Sequence, residues 1–249
     1  MILPLVLASL VASSPVRCEQ PANASRESVW LVPDAPHESV WLVPDAARDS
    51  TLLALYESGQ DFETFLREAR ARREMWGRNW ADGQVSPELL ERARAIPGSW
   101  RLLVAAVDGC SDSVNTVPYL ARLVSLVPSL EMRIVKPDAG AVFMERHRTP
   151  DGRSATPTVV ILDAAGNDVG CWVERPAALQ EMAMRARADD TYEDFARNKQ
   201  SWYDADAGAS TVREVLPIAA IDDLALPAAP GPVTLAAGEA LGQAIRAEL

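Results

Sequence analysis

The run Leu102-Leu103-Val104-Ala105-Ala106-Val107-Asp108-Gly109-Cys110-Ser111-Asp112-Ser113-Val114 decides how this chain folds. Its first six residues are all apolar, as in a strand covered on both faces, and they stop at the turn dipeptide Asp108-Gly109. Beyond the turn, Val114, Val117, Ala121 and Val124 recur at helical spacing with Leu120, Leu123 and Val127 beside them. That pattern predicts an amphipathic helix. Cys110 therefore falls between a strand end and a helix N-terminus, where unpaired N–H groups and the positive end of the helix dipole favour an anion. A thiolate is such an anion, so this is a position at which a cysteine becomes a nucleophile near neutral pH. The spacing of Cys110 and Ser113 is that of a Cys-x-x-Cys redox site whose second cysteine is a serine. Asp108 and Asp112 work against ionisation by like-charge repulsion, while Asp112 also suits the first turn of a helix.

Composition narrows the choice of partners. The chain has 249 residues, 48% of them hydrophobic, and a formal net charge of -11. A core is well supplied, and nucleic acid is a poor match for so acidic a chain. The basic cluster Arg67, Arg70, Arg72 and Arg73 is interleaved with Asp61, Glu63, Glu68 and Glu74, and reads as the solvated face of an amphipathic helix. Three cysteines (Cys18, Cys110, Cys171) and two histidines (His37, His147) leave little material for a disulfide framework, a zinc site or a Cys–His pair. No metal site or cofactor is expected, and both histidines read as surface residues. No apolar stretch reaches the length of a membrane span.

The organisation expected from the chain has four parts. Residues 1–24 hold an apolar segment, Ile2 to Ala12, and an Ala22-Asn23-Ala24 triplet of the kind cut by signal peptidase. No basic residue precedes the segment, so an exported protein and a cytoplasmic one with a misplaced start both stand, with export slightly favoured. Residues 25–51 form a leader in which ESVWLVPDAPH, 27–37, recurs as ESVWLVPDAAR, 38–48. Two copies are too few for a solenoid, and the duplication reads as a neutral one in a flexible leader rather than as a docking hairpin. Residues 52–222 form the globular domain, and 223–249 a linker followed by a peripheral helix.

Within the domain, Phe62, Phe65, Leu66, Ala69 and Trp76 predict one long helix, and Pro87 opens a short one with Leu89, Leu90 and Ala93 inward. Strands are expected at 100–107, Leu130 to Val135, Thr158 to Leu162 and Asp168 to Val173, the last two joined by a turn at Asp163–Asn167. A helix is expected at 139–147, a helical stretch after Pro176 through Met182, Phe195 and Trp202, and a last helix opened by a Thr211–Glu214 capping box. The order gives an α/β fold, a mixed sheet with helices on both faces.

These residues resemble the thioredoxin superfamily, and more narrowly a bacterial thioredoxin-like family with a Cys-x-Asp-Ser or Cys-x-Asp-Cys site. The resemblance covers about Tyr56 to Asp222. Cys110-Ser111-Asp112-Ser113 stands at the strand-to-helix junction, and Pro118 matches the proline that kinks the following helix. Gly152-Arg153-Ser154-Ala155-Thr156-Pro157-Thr158 matches the segment that holds a cis-proline opposite the active site. Trp202-Tyr203 and Gly208-Ala209-Ser210-Thr211 resemble a C-terminal motif of the narrower family. The resemblance implies a thioredoxin-like fold with extra N- and C-terminal helices. It implies Thr156 and Pro157 as the edge on which an extended substrate docks. It also shows departures: Gly109 replaces the usual Trp, and Val104 stands where thioredoxins keep a buried acid.

In a dithiol site the first thiolate attacks a disulfide and the second cysteine releases the product. Here Cys110 makes the attack, while Ser113 can hydrogen-bond the thiolate but not displace it. Release then needs an external thiol such as glutathione, or Cys171, the one internal candidate in the domain and otherwise a small buried hydrophobe. The expected activity is monothiol exchange with a protein or low-molecular-weight thiol or disulfide. Two alternatives remain, a redox-inert protein-binding module and a thiol-based peroxide sensor.

Overall fold

The computed structural model describes residues 50–219. The signal-like segment, the duplicated leader up to residue 49 and the linker and tail helix beyond 219 lie outside the described residues. At the centre is a four-stranded sheet in the order β2-β1-β3-β4, formed by β1 (Trp100–Ala105), β2 (Leu130–Val135), β3 (Thr158–Leu162) and β4 (Asp168–Val173). β1 runs parallel to β2 and antiparallel to β3, and β3 and β4 form an antiparallel hairpin. The Asp163 carboxylate makes the hairpin turn by accepting the backbone N–H groups of Ala165 and Asn167 at 2.8 and 2.9 Å, and Gly166 supplies the positive φ of 88° that the turn requires.

The unbroken apolar run of β1 is explained by cover on both faces. Leu102 and Val104 pack into a layer built from α2 (Phe62–Glu68), α3 (Arg73–Asp82), α4 (Pro87–Ala95), α6 (Val117–Leu126) and α10 (Ala209–Ala219). Leu103 and Ala105, alternating to the other face, pack against α1 (Ser50–Ser58) and α7 (Ala141–Arg146). A third, smaller cluster of Leu179, Ala183, Phe195 and Tyr203 joins α8 (Ala177–Ala188) to α9 (Tyr192–Asp206).

Three expectations about helices are corrected. The long helix through Phe62 and Trp76 is two helices, α2 and α3, parted by a turn in which Arg72 takes a left-handed φ of 53°. The turn exists because the Asp108 carboxylate accepts the N–H groups of Arg70 and Ala71, at 2.7 and 2.8 Å, which a continuous helix would have used internally. The helix after Cys110 is likewise split, into α5 (Ser111–Val114) and α6. Pro118 lacks the N–H that would bond the Val114 carbonyl four residues back, and the Asn79 side chain donates to that carbonyl instead, at 2.8 Å. Thr116 Oγ1 donates to the Asp112 carbonyl at 2.7 Å, so the break leaves both carbonyls satisfied. The stretch after Pro176 is also two helices, α8 and α9, with Asp190 at φ 57° between them.

The capping box at Thr211 does not form. Thr211 is already inside α10, and its N-terminus is capped by the carboxylate of Asp206, which accepts from Ser210 N–H at 3.2 Å. Glu214 reaches away from its helix to accept from Trp172 Nε1 at 2.8 Å and from the N–H of Ala177 at 2.9 Å, tying α10 to β4 and the first turn of α8. Burial pushes its pKa up to about 7 from 4.5, against the two hydrogen bonds, which lower it. The folded state therefore holds a proton that the unfolded chain has lost, so stability present at pH 4.5 declines as pH rises toward 7, by roughly 3 kcal/mol in all. Glu214→Gln keeps the acceptor oxygen without the charge. Thermal melts are expected to show the variant gaining over wild type between pH 5 and 8, and an unchanged difference across that range would refute the assignment.

Candidate active site

Cys110 is the N-cap of α5, half-buried at the end of the chain segment that leaves β1. Its Sγ accepts the backbone N–H of Ser113 at 3.4 Å and donates to the carbonyl of Thr156 at 3.2 Å. The Thr156–Pro157 peptide bond is cis. Cys110, Ser113, Thr156 and Pro157, chosen from widely separated parts of the sequence, are therefore brought together at one end of the sheet. Because α5 has only four residues, its dipole is short, and the nearest contribution to the sulfur is the individual N–H of Ser113.

Ser113 does not play the part expected of its side chain. Its hydroxyl is buried and makes no hydrogen bond, whereas its main-chain N–H faces the sulfur. Val104 is fully buried among apolar neighbours, so no acid lies beneath the thiol from that strand.

Asp112 departs furthest from expectation. It is turned inward, only 6% exposed. Lys199 Nζ donates to its two oxygens at 3.1 and 3.0 Å, Tyr203 Oη donates at 2.7 Å, and Arg175 Nη2 donates at 3.3 Å. Two cations and a phenol hold its charge, so it does not act on the thiol as a bare anion. Burial first, and then the charge of Asp112, hold the Tyr203 phenol well above its ordinary pKa, and it stays a donor. Arg175 in turn pairs with Glu174, and Glu174 accepts from Arg153 at 2.8 and 3.2 Å. Arg153 also donates to Asp151 at 2.7 Å. The chain of ion pairs thus runs from the helix that Cys110 caps to the loop before Thr156, while Glu174 N–H closes on the Pro157 carbonyl at 2.7 Å.

Asp108, the other acid near the cysteine, is engaged as well. The N–H groups of Ala71 and Arg70 lower its pKa, and its main-chain carbonyl accepts from Trp76 Nε1 at 3.0 Å.

Two further residues differ from expectation. Cys171 lies on β4 opposite Val160 and is disulfide-bonded, so it is neither a free thiol nor a plain buried hydrophobe; Cys110 is the free cysteine among the described residues. His147 is 2% exposed rather than on the surface, and its Nε2 lies 2.6 Å from an oxygen of Asp168. Asp168 pairs with Leu162, the end of β3 remote from Pro157. Among the described residues no cluster of His, Cys, Asp and Glu could hold a metal ion, and no helix is long and apolar enough to cross a membrane.

Arg175, Lys199 and Tyr203 were not identified as site residues from the sequence. They stand 63, 87 and 91 residues beyond Asp112. The one available signal was an acid inside the Cys-x-x-Ser motif, whose cost in a buried first turn requires cationic partners from elsewhere.

Sheet order, the helical crossover from β1 to β2 and the seat of Cys110 define the thioredoxin-like class of folds. The family model described as Thioredoxin matches residues 59–192, more than half of the chain, and the chain belongs to that family. A Pseudomonas aeruginosa protein of unknown function is similar in structure, with a TM-score of 0.52 and 25% identity over 66% of this chain and 93% of its own. An HIV epitope-scaffold has a TM-score of 0.55 and 23% identity, covering 69% of this chain and 98% of its own. No curated protein matches the sequence.

Proposed function

We propose that residues 52–222 act as a monothiol member of the thioredoxin family, exchanging disulfides through Cys110. The observation that carries this reading is the seat of Cys110: N-cap of α5, half-buried, its Sγ accepting the Ser113 N–H at 3.4 Å and lying beside the cis Thr156–Pro157 bond. The Cys110 thiolate attacks one sulfur of a substrate disulfide and forms the Cys110–substrate bond. The other substrate sulfur leaves as a thiolate and takes a proton from water. Ser113 N–H remains a donor to Sγ while the thiolate forms, and Thr156 with Pro157 offers the edge along which the substrate lies. Regeneration requires a second thiolate from outside the domain, glutathione being a suitable one. It attacks the mixed disulfide, leaves as the new disulfide and returns Cys110 with its two electrons.

Incubation with glutathione disulfide followed by acid quench and intact mass analysis is expected to find one glutathione adduct on wild type and none on Cys110→Ser at that site. Failure of Cys110 to form an adduct faster than free cysteine at pH 7 would return the fold to the class of redox-inert binding modules.

A further inference from the structure

We propose that the turn Arg70–Arg73 recognises a carboxylate carried beside the sulfur of the substrate, so that Cys110 selects anionic disulfides. The proposal rests on the reading of Cys110 as a reactive thiol and adds a substrate class to it. Three hydrogen bonds fasten the turn to the two residues before the cysteine. Asp108 takes the N–H groups of Arg70 and Ala71 at 2.7 and 2.8 Å, and Arg72 Nε donates to the carbonyl of Gly109 at 3.0 Å. The Arg72 guanidinium is thereby fixed next to the residue preceding Cys110. With Nε engaged, its two Nη nitrogens have no protein partner among the described residues, which leaves a planar fork for a carboxylate.

The balance of charge on the two sides of the thiol points the same way. Toward α9, the cations Lys199, Arg175 and Arg153 are all bonded to carboxylates. On the turn, Arg70, Arg72 and Arg73 are exposed, and none lies in an ion pair among the described residues. The carboxylate of Asp108, the nearest acid, is held by backbone N–H groups. In a chain of net charge -11, an anionic substrate is repelled by the surface as a whole. A group of arginines outside any ion pair among the described residues, on the turn bonded to Asp108 and Gly109, concentrates it beside the residues that lead into Cys110.

The test compares the reaction rates of Cys110 with three disulfides: dithiobis(nitrobenzoate), which is anionic, dithiodipyridine, which is neutral, and cystamine, which is cationic. The Cys110→Ser protein serves as the blank. Each variant is divided by wild type for the same reagent, which removes differences in leaving group. Arg72→Gln, and separately the double variant Arg70→Gln with Arg73→Gln, two side chains that make no hydrogen bond among the described residues, are expected to slow the anionic reagent about five- to tenfold at low salt. The neutral reagent changes less than twofold, and cystamine accelerates. Added salt narrows the wild-type preference. Equal change of all three rates, or no change, overturns the recognition while leaving the thiol chemistry intact. A wild-type Cys110 inert even to the neutral reagent overturns both.

Discussion

Asp112→Ala is expected to lower the stability of the domain by about 3–5 kcal/mol, the cost of removing one member of a buried charge cluster. The carboxylate is the common acceptor of Lys199, Tyr203 and Arg175. Without it Lys199 loses its ion-pair partner, the Tyr203 hydroxyl loses its acceptor, and Arg175 keeps Glu174 as its remaining carboxylate. For a domain of this size the loss corresponds to a fall in Tm of roughly 6–20 °C. The penalty comes from leaving charges and donors uncompensated, so removing both sides together should recover part of it. Asp112→Leu combined with Lys199→Met is expected to melt above Asp112→Ala. If Asp112→Ala melts within a degree or two of wild type, the inward orientation of this side chain is wrong.

Ser113→Cys is expected to shorten the lifetime of the mixed disulfide proposed for Cys110 by roughly a hundredfold or more, because an intramolecular thiol competes at a far higher effective concentration than millimolar external thiol. The main-chain nitrogen of Ser113 is only 3.4 Å from Cys110 Sγ, and the Ser113 hydroxyl makes no hydrogen bond whose loss would disturb the site. The introduced thiolate attacks Cys110 Sγ, the substrate sulfur leaves as a thiolate, and a disulfide closes between 110 and 113. Acid-quenched mass spectra over time measure it, with wild type retaining the adduct and the variant losing it. An adduct equally long-lived in both would mean that the two positions cannot be bridged.

Much of the fold was legible in local pattern. Leu130 to Val135, Thr158 to Leu162 and Asp168 to Val173 are strands at the expected residues, because each is an apolar or alternating run bounded by turn residues. Pro87 opens its helix, with Ser86 capping it by accepting from Leu89 N–H at 3.3 Å. Three of the departures share one cause, a partner distant in the chain. Arg70 and Ala71 are helix-compatible residues whose N–H groups were captured by an acid 38 and 37 residues away. Glu214 had the spacing of a capping residue, yet Trp172 and Ala177 offered it donors from another layer. His147 is polar and rare, which suggests a surface, and it is buried because Asp168 faces it.

The candidate site divides in the same way. Cys110, Ser113, Thr156 and Pro157 could be named from the sequence, since a strand-to-helix junction and a Thr-Pro pair are local marks. What those residues do to one another could not. The electrostatic contest at the thiol depends on where the Asp112 and Asp108 carboxylates point, and each is directed by partners distant in the chain.

Taken alone, the amino-acid order determined the elements of the sheet, the cysteine between strand and helix and the missing second thiol, all of which follow from hydrophobic period, turn residues and spacing. Only the tertiary structure decided that Asp112 faces inward to Lys199, Arg175 and Tyr203, that the Arg70–Arg73 turn docks beside the thiol, and that Ser113 offers its N–H rather than its hydroxyl. Charges act through space and fall off with distance, so their effect on a sulfur is set by which side chains folding brings within a few ångströms, and sequence separation carries no record of that.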